Sequence, residues 1–176
     1  VISGAMANTF LAAQGHDMCD SVLDKKGFAA GREILAAAQR KNIEVILPVD
    51  VIVASSPSSK RTRIVTVGQL DEGDMALDIG PASTTNIHVA LQNAPTIFWN
   101  GTLGYTEEEA FRTASAAVAK TIATSRALSV IGGGDTAGFV DSLGMHDKFG
   151  FISTGGGAAL ELLAGKKLPA VTALTR

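Results

Sequence analysis

Leu128-Ser129-Val130-Ile131-Gly132-Gly133-Gly134-Asp135-Thr136 is the stretch on which the reading of this chain turns. A β-rich tetrapeptide runs into three consecutive glycines, and a helix-forming stretch from Ala137 to Leu143 follows. The same design recurs at Phe151-Ile152-Ser153-Thr154, then Gly155-Gly156-Gly157, then Ala158 to Leu163. Adjacent glycines cost backbone entropy, so they belong where bare backbone must be reached or φ must turn positive. A helix start leaves N–H groups unpaired at the positive end of its dipole, which favours an anion such as phosphate. Two such starts on neighbouring strands suit an extended phosphate chain.

Outward from these units, strands and helices alternate. Val1-Ile2 reads as the end of a strand, followed by a helix from about Ala5 to Gln14 that stops at Gly15. A second helix is expected from Gly27 to Arg40, with apolar residues at Phe28, Ala29, Ile34, Leu35 and Ala38. Glu44 to Pro48 reads as a strand continued by Val51-Ile52-Val53. Ile64 to Val67 and Met75 to Ile79 are short strands, and Ser83 is placed to cap a helix running to about Asn93. Thr96 to Trp99 is a strand, and Thr106 with Glu109 has capping-box spacing for the longest helix, to about Thr124. Such alternation implies right-handed βαβ units. The expected fold is α/β: a three-layer αβα, Rossmann-like domain with a mainly parallel sheet, helices on both faces and a small antiparallel strand excursion.

Composition narrows the function classes. The 176 residues suit one domain with a sizeable core. A hydrophobic share of 46% and a mean hydropathy of +0.24 exclude disorder. Net charge is −2, so there is no basic field to attract nucleic acid or a membrane surface. Any phosphate ligand must then be held by local N–H groups, with or without a metal. Cys19 is the single cysteine; it excludes an internal disulfide and a cysteine zinc cluster and fits a cytoplasmic setting. No apolar run is long enough to span a membrane. The chain starts at Val1 on an expected strand and reads as a piece of something longer. No signal peptide is expected, because Asn8 and Thr9 interrupt the apolar start and no basic segment precedes it.

The motifs carry unequal weight. G-x-x-x-x-G-K-[ST] is absent, since Gly165-Lys166 is followed by Lys167. Gly132-x-Gly134-x-x-Ala137 fits the dinucleotide fingerprint, but the acid expected about 20 residues later is missing. Asp135 has two readings: an N-cap, or a carboxylate that reaches phosphate through Mg²⁺. Glu107 is either a residue favoured by a helix dipole or an acceptor for ribose hydroxyls. Trp99 reads as packing, Asp50 and Asp78 as turn residues, and Lys60 to Arg63 as a solvated basic loop. His16, His88 and His146 lack ligand spacing.

These residues resemble the C-terminal, nucleotide-binding domain of the phosphoglycerate kinase family. The resemblance is carried by Gly4-Ala5-Met6-Ala7-Asn8-Thr9-Phe10, Leu47-Pro48-Val49-Asp50, Leu77-Asp78-Ile79-Gly80-Pro81 and Trp99-Asn100-Gly101. It continues through Ala123-Thr124-Ser125-Arg126 and the two glycine motifs to Leu168-Pro169, over essentially the whole chain. It implies reversible phosphoryl transfer between 1,3-bisphosphoglycerate and ADP, giving 3-phosphoglycerate and ATP, by a cytoplasmic enzyme whose parent chain is monomeric. By position, Gly4, Ala5, Leu77 and Tyr105 would line an adenine slot, Asn100 and Thr102 would face the nucleotide, and Glu107 would take the ribose. Gly132, Gly133, Gly134, Asp135 and Thr136 would meet the phosphates, Asp135 through Mg²⁺. Gly134, Gly155, Gly156 and Gly157 would serve the transferring phosphoryl group.

The chain departs from the family pattern at Ser3-Gly4-Ala5-Met6 for Gly-Gly-Gly-Met, at Thr102 for the Pro of Asn-Gly-Pro, and at Tyr105-Thr106-Glu107 for Val-Phe-Glu. The family's phosphoryl-steadying lysine and its phosphoglycerate-holding domain have no counterpart in these residues. The resemblance therefore implies that the 176 residues by themselves do not turn over substrate. Two other readings stand beside it: a non-catalytic nucleotide-binding module, and a dinucleotide-dependent oxidoreductase domain resting on the incomplete fingerprint.

Overall fold

Residues 1–175 are described by a computed structural model, and they form an α/β fold with one antiparallel and one parallel sheet. The order is α1 (Gly4–Ala13), α2 (Phe28–Arg40), β1 (Asp50–Ala54), β2 (Arg63–Thr66), β3 (Met75–Ile79), α3 (Pro81–Gln92) and β4 (Thr96–Asn100). It continues with α4 (Thr113–Thr124), β5 (Leu128–Gly132), α5 (Gly134–Ser142), β6 (Phe151–Ser153), α6 (Gly156–Leu163) and α7 (Pro169–Leu174). The chain divides into two units. The first takes Val1–Gln92 with Thr102–Val118, and the second takes Asn93–Gly101 with the residues from Ala119 onward.

In the first unit the antiparallel excursion is a three-stranded sheet in the order β2-β1-β3. Alternation in β1 turns Val51 and Val53 inward, where they pack with Val65 of β2 against Val67, Leu70 and Ala76. A register shift between Ile52 and Val53 marks a bulge against β3. Two buried carboxylates organise the ends of this sheet. Asp50 Oδ2 accepts from Ala82 N (3.0 Å) and Oδ1 from Ser83 N (2.8 Å), so it caps α3 from a distant strand. Ser83 is therefore not the cap the sequence suggests. It lies inside the helix, 1% exposed, and its Oγ accepts from Val49 N (2.9 Å) and Asp50 N (3.1 Å). Gly80 is required here, because a Cβ would overlap the Asp50 carboxylate.

In the second unit β4, β5 and β6 form a parallel sheet in that order. Ile97, Trp99, Ile131, Phe139 and Val140 are buried in it, each contributing about 1.5–3 kcal/mol through burial of its side chain. The Trp99 ring stands edge-on to Phe139 of α5, with centroids 6.5 Å apart at 80°.

Other local expectations fail as well. Val1-Ile2 and Glu44 to Pro48 are not strands, although Ile2 N donates to Ile46 O at 3.0 Å; β1 starts only at Asp50. The Thr106–Glu109 capping box does not form: a 3₁₀ turn over Glu109–Phe111 comes first and α4 starts at Thr113. At the C-terminal side α6 ends at Leu163 and Pro169 opens α7, a first-turn position that tolerates its missing N–H. Arg63, read as part of a solvated loop, pairs with Asp71 and Asp74 at 2.5 Å each.

Candidate functional site: two glycine-led helix starts

The carboxyl ends of the three parallel strands come level. Asn100 ends β4 opposite Gly132 of β5, and Gly132 is opposite Ser153 of β6. Open parallel sheets bind their ligands outside this edge. Gly133 then occupies the cap position of α5 at φ 97, ψ 142, a conformation that suits glycine. Its N–H donates to Ser153 O at 2.8 Å, tying the first turn to the neighbouring strand. Gly155 precedes α6, and its N–H donates to Ser153 Oγ at 3.2 Å.

Gly156, the first residue of α6, explains why the second motif needs glycine at its centre. A Cβ there would meet Asn100 Oδ1 at 2.6 Å, Gly133 Cα at 2.7 Å and Gly133 N at 2.9 Å. The two turns are thus in backbone contact. Gly132 is equally closed, with Phe98 Cζ at 2.8 Å and Asn100 Oδ1 at 2.9 Å from its Cβ position. Gly134 and Gly157 face open space. Among the described residues no side chain caps either helix. Both first turns therefore present backbone donors and a positive dipole end to whatever lies beyond them.

The capping alternative for Asp135 fails, since Gly133 holds that position. Asp135 lies exposed in the first turn of α5. Among the described residues no group of three or more His, Cys, Asp or Glu could hold a metal ion. A lone carboxylate beside uncapped helix starts fits Mg²⁺, which commonly keeps several waters and takes one or two carboxylates together with phosphate oxygens. Thr136 is 1% exposed, and its Oγ1 accepts from Gly101 N at 2.8 Å.

The remaining candidates lie in the first unit. Gly4 opens α1 at φ 61, with Leu103 O and Thr102 O 3.6 and 3.9 Å from its Cβ position. Leu77 O accepts from Tyr105 N at 2.8 Å, and Thr102 Oγ1 donates to Gly104 O at 3.0 Å. Gly4 and Leu77 line one small cleft with Pro48, Val51, Asp78 and Leu103, whereas Ala5 lines a wider apolar groove beside Met6 and Phe10. Glu107 is exposed and lies in a turn outside any helix, so no helix dipole accounts for it.

Asp78 is the residue whose weight the sequence hides. It is 3% exposed. Its Oδ1 accepts from Ile79 N at 2.9 Å and its Oδ2 from Ala114 N at 3.2 Å. Burial pushes its carboxyl up to about 7 against the two N–H groups, which favour the charged form. A Cβ on Gly104 would strike this carboxylate and would stand 2.6 Å from Phe111 O. Only a glycine in the sequence at 104 hints at so close an approach.

An α/β domain whose parallel sheet ends in two touching, uncapped, glycine-led helix starts is the class that fold and site define. The chain belongs to the phosphoglycerate kinase family, whose model matches residues 1–166. It is 46% identical over 178 residues to the phosphoglycerate kinase of Desulfosudis oleivorans, an alignment covering 100% of this chain and 45% of that relative. It is 45% identical to that of Pelotomaculum thermopropionicum, covering 99% of this chain and 44% of the relative. The phosphoglycerate kinase structure from Coxiella burnetii superposes with a TM-score of 0.92 at 37% identity, over 97% of this chain and 44% of that one. The structure from Pyrococcus horikoshii gives a TM-score of 0.81 at 31% identity. The chain therefore spans less than half the length of the relatives it matches. Family membership leaves the oxidoreductase reading without support.

Proposed function

We propose that this chain supplies the nucleotide-phosphate site of a cytoplasmic, monomeric phosphoglycerate kinase. The parent enzyme moves a phosphoryl group between 1,3-bisphosphoglycerate and ADP. The observation that carries the proposal is the backbone contact between Gly133 and Gly156, which sets two uncapped helix starts side by side. A nucleotide diphosphate has two anionic groups about as far apart as two adjacent turns can serve, and family membership names the chemistry.

In the forward direction an oxygen of the ADP β-phosphate forms a bond to phosphorus as the acyl phosphate P–O bond breaks, and the carboxylate of 3-phosphoglycerate leaves. Such a transfer needs positioning and charge stabilisation rather than a protein nucleophile. Backbone N–H groups at Gly134, Gly156 and Gly157 take up negative charge on the phosphate oxygens, with Gly155 shaping the second turn. Asp135 would hold Mg²⁺, which would supply positive charge against the phosphate oxygens. From the family pattern Gly132 and Gly133 are also assigned to the phosphates; they lack side chains where Asn100 leaves no room for one. From the family pattern, Gly4, Ala5, Leu77 and Tyr105 are assigned to adenine, Asn100 and Thr102 to the nucleotide, and Glu107 to ribose.

Calorimetric titration tests the proposal. MgADP and MgATP bind the chain and NADH does not; heat from NADH alone, or from none of the three, overturns the reading.

A further inference from the structure

One residue at the edge of the glycine turns is gripped from both sides. Gly101 follows β4 with φ 88, so no Cβ braces the turn it makes. Its N–H donates to Thr136 Oγ1 at 2.8 Å, and its carbonyl accepts from Trp99 Nε1 at 2.7 Å. Both holders are anchored in the core: Thr136 is 1% and Trp99 7% exposed, and the Trp99 ring abuts Phe139. Between them stands Asn100. Its Oδ1 lies 2.9, 3.3 and 2.6 Å from the Cβ positions of Gly132, Gly133 and Gly156. One carboxamide oxygen thus lies against glycines of both turns.

We infer that Thr136 and Trp99 are positioning residues: by clamping Gly101 at its N–H and its carbonyl they fix the Asn100 carboxamide as the spacer that sets the distance between the two helix starts. The inference rests on the proposed phosphate site, because that distance decides whether one diphosphate reaches both turns. The N–H of Thr136, in the first turn of α5, keeps its assignment to phosphate, while its side chain acts through the turn. It is buried, and one of its lone pairs is committed to Gly101 N–H. Valine would match its shape but leave that N–H without its acceptor, whereas serine would keep the bond.

Trp99 is the only tryptophan in the chain, so a single indole N–H resonance reports on the clamp without any ligand. In T136V the loosened turn raises indole N–H exchange with solvent about tenfold, the equivalent of ~1.4 kcal/mol. The dissociation constant for MgADP rises by a similar factor, and T136S returns both to within about twofold of the parent chain. W99F keeps an aromatic ring against Phe139, removes the donor and weakens MgADP binding to the same extent, which decides the matter if T136V does not fold. Unchanged indole exchange in folded T136V overturns the clamp, as does MgADP affinity that neither variant alters, or a failure of T136S to restore it. A parent chain that binds no MgADP refutes the phosphate site instead, while the ligand-free exchange measurement still judges the clamp.

Discussion

Replacing Gly156 by alanine places a methyl group 2.7 Å from Gly133 Cα, 2.9 Å from Gly133 N and 2.6 Å from Asn100 Oδ1. Two of the three obstacles are backbone. Gly133 cannot retreat easily, because its N–H is bonded to Ser153 O at 2.8 Å and its φ of 97 is set by the start of α5. Overpacking of this kind costs about 1–3 kcal/mol. Against it stands the helix preference of alanine over glycine, at most ~1 kcal/mol and less at the first helical position. The clash wins, because a flexible side chain could yield but two backbone segments must move together. Gly157 supplies the contrast one residue along: its Cβ position is open and it lies within the same helix. Gly157→Ala is expected to stabilise by about 0.4–1 kcal/mol. Urea denaturation followed by Trp99 fluorescence measures both, since this buried indole belongs to the same unit as the two glycines. The expected order of midpoints is Gly157→Ala above the parent chain and Gly156→Ala below it. Equal midpoints for the two variants would refute the argument that the turns touch through backbone.

Other outcomes follow from the same geometry. Asp78 titrates near 7 in the folded chain and near 3.9 when unfolded, so between these values the folded state holds the extra proton. Stability is then fully present below pH ~4, declines by roughly 4 kcal/mol as pH rises to about 7, and is flat above. Asp78→Asn removes that slope, measured by urea denaturation from pH 4.5 to 8; a slope that survives the substitution refutes the assignment. Ser83→Ala strips the acceptor from Val49 N and Asp50 N and is expected to cost about 1–3 kcal/mol in thermal unfolding; a loss under ~0.5 kcal/mol contradicts it. Asp135→Asn, at an exposed position, should leave stability within about 0.5 kcal/mol yet abolish the Mg²⁺ dependence of ADP binding in calorimetry. Retained Mg²⁺ dependence would remove the metal role from this carboxylate.

Which features were legible follows from how local their causes are. The strand–glycine–helix units at 128–143 and 151–163 could be read because β-rich runs, triple glycines and helix formers each act within a few residues. The structure keeps them, starting α5 at Gly134 and α6 at Gly156. The capping box at Thr106 failed because spacing is necessary but not sufficient: the chain there makes a 3₁₀ turn before α4. Ser83 was read as a cap because hydroxyl residues commonly cap. The true cap of α3 is Asp50, 33 positions from Ser83 in sequence, and no local pattern connects the two.

By itself, then, the amino-acid order determined the α/β class, the glycine turns and the family pattern, because propensity and motif spacing are properties of short segments. Tertiary structure alone decided that Gly133 touches Gly156, that Asn100 stands between the turns, that Thr136 spends its hydroxyl on Gly101, and that Asp78 is buried enough to hold its proton near neutrality. Each of these depends on distances between residues far apart in sequence, and on the loss of water around them, which no linear pattern encodes.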